Sequence, residues 1–171
     1  MDLGLNDLEA FLARGGPVLL VIMVATFIMW ALILERLFYF RLAHKAVAEE
    51  AVAEWNARAD RKSVLAHWVR DKLVSEVRVK AEANVSMTKA MVALAPLLGL
   101  LGTVTGMVTV FDVMAITDGA DAKAMSGGVS RATIPTMAGM VASISGIIFT
   151  SGMDSKVNRL VQQVEDEMEI G

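Results

Sequence analysis

Three long apolar runs without an ionisable side chain constrain this sequence more than any other feature. They extend over residues 17–34, 91–111 and 132–153. As helices with a rise of about 1.5 Å per residue they measure about 27, 31 and 33 Å, which suits a bilayer hydrocarbon core of about 30 Å. The chain as a whole is 55% hydrophobic and only 20% charged, which is too apolar for a soluble domain of its size. We therefore predict an all-α integral membrane protein with three transmembrane helices.

The composition excludes several functional classes. There is no cysteine, so thiolate zinc sites, disulfides and cysteine nucleophiles are absent. The formal charge of −3 argues against a nucleic-acid partner, because phosphate binding needs a basic surface. The two histidines, His44 and His67, lie in a polar helical stretch, where we expect both on a solvated face. We predict no catalytic residue, no metal site and no cofactor, and hence no enzyme.

The distribution of basic residues predicts the orientation. Eleven of the sixteen Lys and Arg residues lie between Glu35 and Lys89, and the positive-inside rule places such a stretch in the cytoplasm. The amino terminus is then periplasmic and the carboxyl terminus cytoplasmic. Because the start of the chain lacks a basic region ahead of the apolar run, we expect no cleaved signal peptide. The predicted segments are a periplasmic amino-terminal segment (1–16), transmembrane helix 1 (17–38), a cytoplasmic helical region (39–89), transmembrane helix 2 (90–111), a periplasmic loop with the start of helix 3 (112–131), transmembrane helix 3 (132–153) and a cytoplasmic helical tail (154–171).

Both polar stretches have the composition of helices. Residues 41–84 contain no Gly or Pro and are rich in Ala, Glu, Arg, Lys and Leu. We expect these stretches to be long extensions of the membrane helices that pack on each other or on neighbouring copies. The alternative is an amphipathic helix lying on the membrane surface. In the tail, apolar residues recur at spacings of three and four: Val157, Leu160, Val161, Val164 and Met168.

Small and hydroxylated side chains recur along one side of the second and third runs. The third run carries Ala132, Thr136, Gly139, Ser143, Gly146 and Thr150, and the second carries Gly99, Gly102, Gly106 and Thr109 with Thr103 beside them. One explanation is close packing of helices through Gly99, Gly102, Gly106, Gly139 and Gly146, because small residues let backbones approach in lipid. The other is a polar pathway for protons lined by the hydroxyls of Thr103, Thr136, Thr109 and Ser143.

None of the three runs contains a group that titrates near neutral pH. Hydroxyls exchange hydrogen bonds without taking up and releasing protons, so a proton pathway here needs an ionisable group from another chain. Asp112 and Arg131 stand at the edges of the runs. Since a charge at the bilayer centre costs about 2.5–3.5 kcal/mol, we expect both near the outer interface or at a charged edge of a pore. The alternatives are snorkelling for Arg131 and a loop position for Asp112.

Three motifs in this sequence resemble the family of ExbB, TolQ and MotA, the multi-helix subunits of motors driven by the proton-motive force. They are WALILER at 30–36, APLLGLLGTVTG at 95–106 and the pattern over 128–139. The second motif is highly specific, and the resemblance covers nearly the whole chain. On FDVMA at 111–115 and RATIPTMAG at 131–139, the chain looks most like the short ExbB form of accessory TonB systems.

The resemblance implies a homo-oligomeric ring, a pentamer, among the lipids of the inner membrane of a Gram-negative bacterium. Such a ring encloses an ExbD-like single-span partner that supplies the membrane Asp, and a TonB-like protein carries the energy to outer-membrane receptors. Thr103 and Thr136 match the pore threonines of the family. Arg131 stands where many ExbB proteins have glutamate, so the role of that glutamate does not carry over. The alternatives are a TolQ-like subunit of the Tol-Pal envelope system and a non-conducting membrane scaffold.

Overall fold

A computed structural model describes the backbone of residues 3–116 and 122–168 and the side chains of 15–116 and 125–168. Regular structure in these ranges is entirely helical, which confirms the predicted all-α class. The elements are α1 (Leu3–Phe38), a π turn (Tyr39–Ala43), α2 (His44–Asn56), α3 (Val64–Glu82), α4 (Val85–Ile116), α5 (Ala122–Thr150) and α6 (Met153–Glu167).

Three largely helical stretches are long and apolar enough to cross a membrane, namely Gly15–Asn56, Val64–Ile116 and Met125–Glu167. Each contains one of the three apolar runs, so the prediction of three membrane helices is confirmed. Many of their large apolar side chains, such as Phe27 and Val141, are exposed. Exposure of this kind is expected for side chains that face lipid.

Gly16 interrupts α1 ahead of its apolar part. Its φ of 67° and ψ of −170° lie outside the helical region, in a conformation that only glycine adopts without strain. Pro17 follows directly, and the first helical turn is where proline is tolerated because its missing N–H has no helical partner there. The apolar helix of the first run therefore begins at Pro17.

The chain forms two compact units. The first, here called the apolar unit, contains the described parts of 1–30 and 89–148. The second, the polar unit, contains those of 31–88 and 149–171. Its core lies among α2, α3 and α6 and consists of Ala51, Trp55, Ala66, Leu73, Val77, Val164 and Met168.

The carboxyl-terminal stripe packs inside the polar unit. Val157, Val161, Val164 and Met168 are buried. Arg70 of α3 fixes the end of α6, where its Nε lies 2.9 Å from the Met168 carbonyl oxygen. The last carbonyls of a helix have no partner within it, and the guanidinium supplies one. In this structure α6 therefore packs against α2 and α3 of the same chain.

Residues 57–63 form a turn that composition does not indicate. The Asp60 carboxylate accepts hydrogen bonds from the backbone N–H groups of Lys62 and Ser63, both at 3.1 Å. The Ser63 hydroxyl in turn accepts from the N–H of Ala66 at 3.1 Å and caps α3. The helical prediction for 41–84 is therefore wrong at this turn, because side-chain caps can end a helix without Gly or Pro.

A buried arginine fastens the corner between α3 and α4. Arg36 is only 4% exposed and donates to the carbonyls of Lys80 and Ala81 at 3.2 and 3.4 Å. It also pairs with Glu35 at 2.6 Å, and the Asn84 side-chain amide donates to the same carboxylate at 3.3 Å. Asn84 has a φ of 58°, a left-handed conformation that asparagine tolerates. These bonds satisfy carbonyls that the end of α3 leaves free.

Candidate functional site

The seam between α4 and α5 in the apolar unit is built on small residues. Within this unit every position of the predicted α5 stripe is buried or half-buried: Ala132, Thr136, Gly139, Ser143 and Gly146. Thr150, the last position of the stripe, is buried in the polar unit. Large side chains such as Met137, Met140 and Val141 occupy the exposed side. The periodicity of small residues thus marks the inward side of α5.

Glycines bring the two backbones together. A Cβ on Gly99 would lie 3.0 Å from Thr136 Cα, and one on Gly139 would lie 2.5 Å from the carbonyl oxygen of Ala95. Both distances are shorter than ordinary contacts, so a side chain at either position would force the helices apart. The other predicted packing glycines also face neighbours, Gly102 against Pro135 and Val18, Gly106 against Ala132, and Gly146 against Val92 and Met29.

The hydroxyls of Thr103 and Thr136 meet in this seam. Their Oγ1 atoms are in hydrogen-bond contact, and Thr136 Oγ1 donates to the carbonyl oxygen of Gly99 at 2.8 Å. Thr103 Oγ1 lies farther from that carbonyl, at 3.5 Å. Three polar groups from two helices therefore converge at one point, and both threonines are half-buried.

The number of hydrogens decides how this cluster can bond. Each hydroxyl carries one hydrogen and two lone pairs. Either hydroxyl can donate in the contact between them; when the hydrogen of Thr136 is used on the Gly99 carbonyl, Thr103 is the donor. Thr103 Oγ1 then keeps its lone pairs as free acceptors. Rotation of the same hydroxyl would instead offer its hydrogen to an outside acceptor.

Thr109 and Ser143 are not part of this cluster. Thr109 is exposed, and its hydroxyl donates to the Thr105 carbonyl of its own helix at 3.0 Å. At this level of the seam Val110 lies against Gly128 of α5. Ser143 is buried, about two turns along α5 from Thr136. A role for either hydroxyl in a pathway stays a prediction.

Asp112 and Arg131 are both exposed. Within the described ranges, neither side chain forms an ion pair. The structure therefore does not bring these two charges together, and a charged pore edge remains a prediction. In the same ranges no group of three or more His, Asp or Glu residues is placed to hold a metal ion.

Sequence reasoning missed the Gly99 carbonyl as part of the site. The signal for it is the spacing of Gly99 and Thr103, since a helical hydroxyl reaches the carbonyl one turn earlier. Pro135, which is fully buried, was likewise not singled out. It stands directly before Thr136 and lacks an N–H, so the carbonyl of Arg131 has no partner at the usual helical spacing.

Comparison with known proteins is consistent with this geometry. Residues 33–166 match the MotA/TolQ/ExbB proton channel family. The chain is 31% identical over 90 residues to a biopolymer transport protein named ExbB-like 3 from Synechocystis sp.. These aligned residues make up 50% of this chain and 43% of that protein. It is 42% identical over 65 residues to ExbB-like 1 from the same organism. This alignment includes 36% of this chain and 26% of that protein. The matched region is less than half the length of either relative.

Proposed function

Because this chain belongs to the MotA/TolQ/ExbB proton channel family, we propose that it is an ExbB-like channel subunit that harnesses the proton-motive force. Its partner is an ExbD-like single-span protein that supplies a membrane aspartate, and the pair energises TonB-dependent transport across the outer membrane. The protein is not an enzyme, and several copies form the channel ring in the inner membrane. The observation that carries this proposal is the Thr103 and Thr136 hydroxyl pair, which lies in two apolar runs, 91–111 and 132–153, that contain no ionisable residue.

The hydroxyl pair can respond to the protonation state of a partner carboxyl. A protonated aspartic acid is a hydrogen-bond donor, and the free lone pairs of Thr103 Oγ1 accept from it. An ionised aspartate is only an acceptor, so Thr103 must turn its hydrogen away from Thr136 and towards the carboxylate. Each protonation or release thus changes the hydrogen bonds of the α4–α5 seam, while the titrating group stays on the partner.

The membrane potential supplies enough free energy for such a step. One elementary charge that crosses a potential of 100 mV is worth about 2.3 kcal/mol. Two conformations of a protein commonly differ by a few kcal/mol. Neutralisation of the partner aspartate can therefore shift the position of its helix within the ring. This shift of the partner helix is the mechanical output of the complex.

Proton flux into liposomes that contain this chain with its partner tests the proposal. Thr103→Val and Thr136→Val remove the hydroxyls at nearly constant volume, and we expect each to lower the flux at least tenfold without loss of assembly. Thr105→Val is the matched control, because the Thr105 hydroxyl is bonded to carbonyls of its own helix at 3.0 and 3.1 Å. We expect that variant to conduct like the unmodified complex.

The chain by itself is the second arm of this experiment. Without the partner aspartate we expect no proton flux above that of empty liposomes. Equal flux from the chain alone and from the complex would disprove the borrowed ionisable group. Unchanged flux in both valine variants would show that the hydroxyl pair is not part of the pathway. Absence of flux in the complex would indicate that the chain is a non-conducting scaffold.

A further inference from the structure

The π turn at Tyr39–Ala43 changes which residues meet on this part of the helix. His44 donates its backbone N–H to the Tyr39 carbonyl, five residues back. In an α-helix, residues five apart lie on different faces, about 140° apart around the axis. The wider turn brings them together, so that the Tyr39 and His44 rings meet edge to face with 6.3 Å between their centroids.

This arrangement buries two polar atoms without protein partners. His44 is only 6% exposed, and its Nδ1 has no hydrogen-bond partner among the described residues. The same holds for the hydroxyl of Tyr39. The expectation that both histidines are solvated is therefore wrong for His44, whereas His67 is exposed. A buried imidazole that lacks a partner is poorly suited to carry a proton.

The charges recorded around the two rings are mostly positive. The Arg36 guanidinium of α1 lies 4.7 Å from the Tyr39 ring centroid. Arg36 also forms an ion pair with Glu35, which is the acidic group at this place. Lys156 of α6 lies 5.4 Å from the centroid of Phe40, whose ring contacts Tyr39.

Two further basic residues of the polar unit are paired with acidic residues of their own helices. On α2, Lys45 is paired with Glu49, and on α3, Arg78 is paired with Glu82. In the described structure none of these acidic groups bonds to the imidazole. An imidazolium at His44 would therefore add a third positive charge near Arg36 and Lys156.

We propose that the π turn is a proton-sensitive joint of the polar unit, in which protonation of His44 drives the imidazole out of its buried place. A neutral imidazole leaves one unbonded nitrogen, whereas the protonated ring has two N–H donors and a charge to satisfy. Water satisfies the N–H at Nδ1, which is buried, only if the ring leaves the Tyr39 contact. The π turn then loses the ring contact between Tyr39 and His44, and its backbone hydrogen bonds open more often.

The inference goes beyond the proposed function, because the joint responds to protons in the polar unit whether or not the chain conducts them. It predicts that acid on the side of the membrane facing the π turn loosens the connection between α1 and α2. The direction follows from burial, since the packed state holds the neutral ring and acid favours the open state.

Hydrogen–deuterium exchange of the full chain in detergent micelles tests this inference. After correction for intrinsic exchange, amides in 39–48 should exchange faster at pH 5.5 than at pH 6.5. The increase should reach up to about tenfold, the limit for one proton over one pH unit. His44→Gln cannot take up the proton and should abolish the increase. His67→Gln is the matched control and should retain it.

A spectroscopic measurement covers the case in which His44→Gln does not fold. The His67→Gln chain contains His44 as its one histidine, so a ring-labelled sample gives a single imidazole signal. At low pH this signal should change to that of a solvent-exposed imidazolium together with the faster exchange. Exchange that does not respond to pH, or a pH response that survives in a folded His44→Gln chain, would overturn the inference.

Discussion

Thr136 on α5 donates its hydroxyl to the carbonyl of Gly99 on α4, with 2.8 Å between the two oxygens. The bond depends on the absence of a side chain at Gly99, where a Cβ would lie 3.0 Å from Thr136 Cα. A packing residue and a hydroxyl of the proposed pathway are thus one structural unit. Changes in helix spacing at this seam therefore act on the hydrogen bonds of the site.

Gly139→Ala should destabilise the apolar unit. Its Cβ would lie 2.5 Å from the Ala95 carbonyl oxygen, a backbone atom that cannot turn aside. Overpacking of this kind costs about 1–3 kcal/mol, which thermal unfolding of the purified chain in detergent measures. Gly127→Ala is the control, because a Cβ there meets nothing within 4 Å. Equal stability of the two variants would contradict the close approach.

Arg36→Ala should destabilise the polar unit. The substitution removes the donors to the Lys80 and Ala81 carbonyls, and buried acceptors left unpaired cost about 1–3 kcal/mol each. We expect a loss of about 2–4 kcal/mol, measured by chemical denaturation and followed by the fluorescence of buried Trp55. Arg41→Ala, at an exposed position, should change stability by less than about 0.5 kcal/mol. A similar loss from both variants would indicate that the capping bonds are unimportant.

Tyr39→Phe should stabilise the chain. The Tyr39 hydroxyl is buried without a described hydrogen-bond partner, so its removal avoids a desolvation cost and should raise the free energy of unfolding by about 1 kcal/mol. The phenyl ring still offers its face to Arg36. Tyr39→Leu removes that face and should lower the stability instead. Destabilisation by the phenylalanine would mean that the hydroxyl is bonded in solution.

The turn at 57–63 should loosen in acid. The hydrogen bond with the Ser63 side chain, followed by those from the N–H groups of Lys62 and Ser63, holds the pKa of Asp60 below its usual value of 3.8. A lowered carboxyl pKa stabilises the folded state above the unfolded pKa, and this contribution disappears as the pH falls through the folded value. After correction for intrinsic exchange, the amides of Lys62 and Ser63 should therefore exchange faster below about pH 4. Asp60→Asn should show fast exchange that no longer depends on pH in this range.

Periodicity was sufficient to identify the inward side of α5. A helix repeats every 3.6 residues, so the spacing of Thr136, Gly139 and Ser143 assigns them to one side whatever the helix packs against. Thr109 continues the spacing of the α4 glycines but is exposed. A helix that packs through a narrow seam leaves residues at the margin of the stripe outside, and the width of the seam depends on the partner helix.

Length, apolarity and spacing along the chain determined the helical class, the three membrane helices and the small-residue faces, because each follows from local geometry and from the cost of exposing polar groups to lipid. Tertiary structure alone decided that the Thr103 and Thr136 hydroxyls meet beside the Gly99 carbonyl and that Arg36 caps a helix more than forty residues away. It also decided that His44 is buried, since the π turn adds one residue to the helical repeat and rotates every later position. Such contacts depend on the packing of distant segments, which spacing within one helix does not specify.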